Sequence, residues 1–111
     1  MNKHEMEQKL INEQHLLYTG KISEILTQIL CEKFSGIKNA FLLRIIPEQA
    51  EDIYYLLLNS STIAIIEISR INSDINNVII DKISVDEYTK YLSSSLRKTL
   101  NIAIKLQNKN N

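Results

Sequence analysis

Between residues 6 and 34 the apolar positions recur at three- and four-residue steps. Leu10, Leu17, Ile22, Ile25, Leu26, Ile29 and Leu30 fall on that spacing, with Lys21, Glu24, Gln28 and Glu32 turned away. This is the pattern of an amphipathic helix. Gly20 interrupts it, at a cost of about 1 kcal/mol relative to alanine inside a helix. The spacing therefore predicts a bend or a fresh start there, with Thr19 capping the second piece. Ser35-Gly36 reads as the C-terminal stop, because glycine takes the left-handed conformation that ends a helix.

From Phe41 the period changes to two. Phe41, Leu43 and Ile45 alternate with Leu42, Arg44 and Ile46 until Pro47 ends the run. Glu48 to Asp52 reads as a charged loop. Ile53 to Leu58, a turn at Asn59-Ser60-Ser61, and Thr62 to Ile71 then read as a hairpin. A second polar turn at 72–77 leads to a fourth strand from Val78 to Ile83. Residues 47–58 carry a competing signature, with proline at a first helical position, Glu48 and Glu51 in the opening turn, and Ala50, Ile53, Tyr54 and Leu57 at helical spacing. Strand is the preferred reading of that stretch; a helix there would leave three strands.

Ser84-Val85-Asp86-Glu87 is a capping box, in which the serine hydroxyl accepts from the Glu87 amide. The helix it opens carries Tyr88, Leu92, Leu96, Ala103 and Leu106 on one face, with Leu100 and Ile104 beside it. Ser93-Ser94-Ser95 falls inside this helix, and Arg97, Lys98 and Lys105 gather towards its C-terminal half, where they suit the helix dipole. The expected class is α+β: an antiparallel three- to four-stranded meander flanked by an N-terminal and a C-terminal helix (α-β-β-β-β-α, alternatively α-β-α-β-β-α). Both helices are expected on one sheet face. A chain of 111 residues suits a single domain over 1–111, with frayed ends at about 1–5 and 108–111.

Composition narrows the chemistry more than it names a function. Cys31 is the lone cysteine, which excludes an internal disulfide and predicts a small buried hydrophobe. Thirteen basic and thirteen acidic residues cancel, so no net field steers the chain towards nucleic acid or an anionic membrane. A net charge of zero also favours self-association or a partner. The polar N-terminus and the absence of a long apolar run point to a cytoplasmic protein without a leader or a membrane span. Richness in isoleucine, asparagine and lysine suggests an AT-rich bacterial gene.

No residue set stands out as catalytic, cofactor-binding or metal-binding. His4 and His15 are eleven residues apart, about 16 Å along a helix, too far to share one metal. Glu48, Glu51 and Asp52 lack the ligand alternation and turn glycine of a calcium loop. Gly20 and Gly36 cannot build a phosphate cradle.

What remains is surplus apolar surface on the strands. A sheet with one wet face should alternate cleanly, yet Leu42, Ile46, Ile63 and Ile65, mixed with Arg44 and Glu67, form a second apolar face. Either the helices straddle the sheet, or Leu42, Arg44, Ile46, Ile63, Ile65 and Glu67 meet another protein or a second copy in a homodimer. The expected function is a non-catalytic protein-binding module, of the kind found in bacterial immunity proteins, antitoxins or secretion chaperones. The alternative is a small enzyme or ligand-binding domain with a pocket between helices and sheet, using His15 or Cys31.

Overall fold

The computed structural model describes residues 1–34, 39–72 and 74–109. Helices at Lys3–Tyr18 (α1) and Glu24–Lys33 (α2) precede strands at Phe41–Pro47 (β1), Glu51–Asn59 (β2), Thr62–Ser69 (β3) and Ile79–Ser84 (β4). A short 3-10 turn at Ile75–Asn77 leads into β4, and helices at Val85–Thr89 (α3) and Ser94–Lys109 (α4) complete the chain. The four strands pair antiparallel in the order β1-β2-β3-β4. The expected α+β meander is what forms.

The ambiguous stretch 47–58 forms no helix: Pro47 ends β1, residues 48–50 turn, and β2 begins at Glu51, inside the expected charged loop. β2 lies in the interior of the sheet, hydrogen-bonded to β1 on one side and β3 on the other. Tyr54, Leu56 and Leu57 are buried there, the first two facing one way and Leu57 the other. A helix would satisfy neither neighbour's ladder, so pairing overrides the helical spacing. The Pro47–Glu51 connection is held by Arg70. Its guanidinium donates to the carbonyls of Glu48, Gln49 (3.0 Å) and Glu51 (3.1 Å) and to the Asp52 carboxylate (2.5 Å).

Both helical expectations need correction at their joints. Thr19 ends α1 rather than starting α2, its N–H donating to the His15 carbonyl at 3.1 Å. Gly20 follows at φ +81°, a left-handed conformation that glycine adopts without a Cβ penalty. Ser23 then caps α2, its Oγ accepting from the Leu26 N–H at 3.1 Å. The single C-terminal helix is in fact two. Ser84 Oγ accepts from the Glu87 N–H as the capping box requires, but α3 lasts only five residues. Ser93, expected inside a helix, accepts from the Leu96 N–H at 3.3 Å and begins α4 afresh. The proposed stop at Ser35-Gly36 lies outside the described residues, as do residues 110 and 111 of the tail.

The helices straddle the sheet instead of sharing one face. Leu26, Ile29 and Leu30 of α2 pack with Leu42, Leu56, Ala64 and Ile66 on one face. Tyr88 of α3 and Leu100 and Ala103 of α4 pack with Phe41, Leu57 and Ile63 on the other. α1 runs against β1 and serves both cores, Leu17 entering the first and Leu10 the second. Apolar residues on both strand faces therefore have a core explanation over much of the sheet.

Candidate functional site

A bulge in β1 decides which of the surplus residues face the same way. Leu42 pairs with Leu56 and Arg44 with Tyr55, leaving Leu43 as the extra residue. Alternation is broken there, so Leu42 points into the α2 core while Arg44 and Ile46 point to the opposite face. Leu42 (3% exposed) and Ile63 (0%) are core residues and have no surface to offer a partner. The register places Arg44, Ile46, Ile65 and Glu67 on one face.

They occupy two adjacent cross-strand rows. One row reads Arg44–Tyr55–Ile65–Asp81 and the next Ile46–Ile53–Glu67–Ile79. The first borders the α3 and α4 packing: Ile65 and Tyr55 are half-buried, and the Tyr55 ring centre lies 5.8 Å from that of Tyr88. The second row opens to solvent at the sheet end that carries the β1–β2 turn. Ile46 and Ile53 are partly buried, as Tyr55 and Ile65 are, and Ile79 is 58% exposed. Ile45 (44% exposed), on the reverse face, and Ile71 (85%), just past β3, extend apolar surface around the same end. Sequence alternation does not single out Ile53, Ile71 or Ile79. The pairing of Glu67 with Ile53 on one side and Ile79 on the other is the relationship that places those two, and it requires the register.

Charge is segregated although the sum is zero. From 44 to 81 the chain carries Glu48, Glu51, Asp52, Glu67, Asp74 and Asp81 against only Arg44 and Arg70. From 90 to 109 it carries Lys90, Arg97, Lys98, Lys105 and Lys109 and no carboxylate. The open sheet end is thus acidic around its isoleucines, and α4 is cationic. The zero net charge of the chain conceals both.

The titratable groups that the fold perturbs are phenols. Burial pushes the Tyr88 hydroxyl above its ordinary 10.0; the Arg44 guanidinium draws it back down and Tyr55 pushes it up. Tyr54 is raised by burial and by the Asp52 carboxylate, against a hydrogen bond with Ser23 and the charge of Arg70, which lower it. Tyr18 is raised by burial, opposed by its hydrogen bond with the Ala40 backbone.

The residues suggested for an enzyme are dispersed. His4 and His15 are exposed on α1. Cys31, expected in the core, is exposed on α2 because Leu26, Ile29 and Leu30 take the buried side. Among the described residues no group of three or more His, Cys, Asp or Glu side chains could hold a metal ion. None of the described helices is long and apolar enough to cross a membrane. Two clefts mark the surface. One of about 540 Å³ lies between the start of α2 and the Asp52–Arg70 pair, and one of about 510 Å³ lies between the first turns of α1 and α4. Comparison of the chain with protein-family models, curated proteins and solved structures returns no match.

Proposed function

We propose that this chain is a non-catalytic protein-binding module whose contact surface is the open end of its sheet. The observation that carries the reading is the row Ile46–Ile53–Glu67–Ile79, left partly in solvent beside a face that is otherwise packed. Isoleucine on an acidic rim matches the anatomy of a contact patch, an apolar centre with charged residues that set orientation. The excess of carboxylates favours a partner surface that is basic around an apolar centre. The partner is another protein or a second copy of the chain, met in the cytoplasm, as an immunity protein, an antitoxin or a secretion chaperone would meet its target.

Ile79→Asp tests the reading, because the position is exposed enough to accept a carboxylate without loss of the fold. Wild type and variant are compared as immobilised baits in extract of the source organism, and by sedimentation velocity. A protein retained at least about tenfold better by wild type, or self-association lost in the variant, supports the proposal. Equal retention by both baits together with a monomeric mass for both overturns it.

A further inference from the structure

A second site is carried by separate observations and does not depend on the sheet end. The cleft of about 510 Å³ between the first turn of α1 and α4 is lined by Lys3, Lys98 and Lys105 together with Met6 and Ile102. That volume lies within the range of about 300–1,000 Å³ typical of small-ligand sites. No carboxylate lines it. The ion pairs among the described residues are Lys9–Glu13 and Asp52–Arg70, so none of these three ammonium groups has one. Lys98 and Lys105 are seven residues apart on α4, about 10 Å and nearly the same helical azimuth. Ile102 sits on the stripe between them. Unneutralised like charges at one cleft raise the local positive potential and attract an anion. The apolar floor is held in place from below: the Thr99 hydroxyl lies 3.7 Å from the Met6 sulfur, and Thr99 is buried.

We infer that this cleft binds an amphipathic anion, a carboxylate or phosphate group on a single apolar chain, with the head on Lys3, Lys98 and Lys105 and the chain on Met6 and Ile102. Neither half of the site suffices for this. Lysines alone would hold inorganic phosphate as well as its ester, and the apolar floor alone would hold an alcohol. The same chemistry occurs in free single-chain anions and at the surface of an anionic bilayer; a concave cleft between two helices, with Met6 and Ile102 set partly below the surface, favours the free form over a flat bilayer.

The test uses octyl phosphate below its micelle-forming concentration, titrated into the intact protein by calorimetry and by the methyl resonances of Met6 and Ile102. Inorganic phosphate and octanol serve as half-probes. The expected result is saturable binding below about 1 mM, at least about tenfold tighter than either half-probe. Lys98→Glu with Lys105→Glu should weaken it at least about tenfold while leaving the thermal transition in place. If that pair folds poorly, Lys98→Gln with Lys105→Gln removes the same charges. Four results would each overturn the inference: no saturation by about 5 mM, equal affinity for inorganic phosphate, variants that bind like wild type, or methyl shifts centred elsewhere. Flotation with phosphatidylglycerol vesicles in the absence of octyl phosphate binding would also overturn it, showing adhesion to a bilayer by charge alone.

Discussion

The Gln107 side-chain nitrogen donates to the Leu57 carbonyl at 3.1 Å and to the Asn39 carbonyl at 2.8 Å, fastening the end of α4 to the strand pair β1–β2. The contact falls where the β2–β3 register slips, between Leu57 and Asn59. Gln107 is 2% exposed, and its Oε1 finds no hydrogen-bond partner among the described residues. A glutamine rather than a leucine is therefore retained at a partial electrostatic cost, because two backbone oxygens need its donors. Gln107→Ala removes both bonds and leaves a void, and should lower unfolding free energy by about 2–4 kcal/mol in urea denaturation. Gln107→Met fills the space and abolishes the unpaired oxygen, and should cost less than alanine does.

Arg70 makes a similar fastening at the opposite end of the sheet. Its four acceptors span Glu48 to Asp52, and its own N–H donates to the Ala50 carbonyl at 2.9 Å. The group is partly exposed, so solvent discounts the ion pair and the carbonyl bonds dominate. Arg70→Ala should cost about 1–2 kcal/mol and speed amide exchange at Glu48 and Arg70. Arg70→Lys should not restore protection, since a single ammonium cannot reproduce the planar fork.

High pH should unfold the protein by way of its phenols. Tyr18, Tyr54 and Tyr88 all titrate above 10.0 when folded. The folded state therefore holds their protons more tightly than the unfolded chain does. Their contribution to stability is complete below about pH 10, the unfolded value, and is lost as pH rises through the folded values. Denaturation midpoints followed from neutral pH to above 10 should fall on the alkaline side. Tyr88→Phe should flatten that slope. Arg44→Ala should move the Tyr88 titration higher still, as read from phenolate absorbance.

The two joints that sequence spacing conceals can be weighed directly. Ser93→Ala removes the acceptor for the Leu96 N–H, and should cost about 1 kcal/mol. Gly20→Ala forces a Cβ into the left-handed region at φ +81°, at about 1–2 kcal/mol. Thermal or urea denaturation of each variant checks both values.

These positions also show where the sequence can be read and where it cannot. The strands are legible because short β-rich apolar runs alternate with polar turns between Phe41 and Ile83, and the capping box at Ser84 because its partners are three residues apart. Ser93 is not legible: a serine amid leucines at helical spacing looks interior until the chain turns, and only the Leu96 amide reveals the cap. Cys31 misleads because burial is common for free cysteine, whereas its azimuth on α2 places it outside. The contact face is half legible. Alternation identifies Arg44, Ile46, Ile65 and Glu67, but one extra residue at Leu43 reverses the parity, so Leu42 falls on the wrong side. Ile79 becomes visible only through Glu67, its pairing partner on the neighbouring strand.

The placement of α1 has a consequence for how the chain is made. Leu10 closes one core and Leu17 the other, yet the core that Leu10 enters also needs Leu100 and Ala103 from α4. The hairpins can pair as they leave the ribosome, because each joins neighbours in sequence. Phe41, Leu57 and Ile63 nevertheless stay bare until α4 is released, while the first helix waits with half its apolar surface unmatched. Nascent chains halted before Ser94 should accordingly be held by chaperones and remain open to proteases, and completion of the last sixteen-residue helix should be the event that ends their vulnerability.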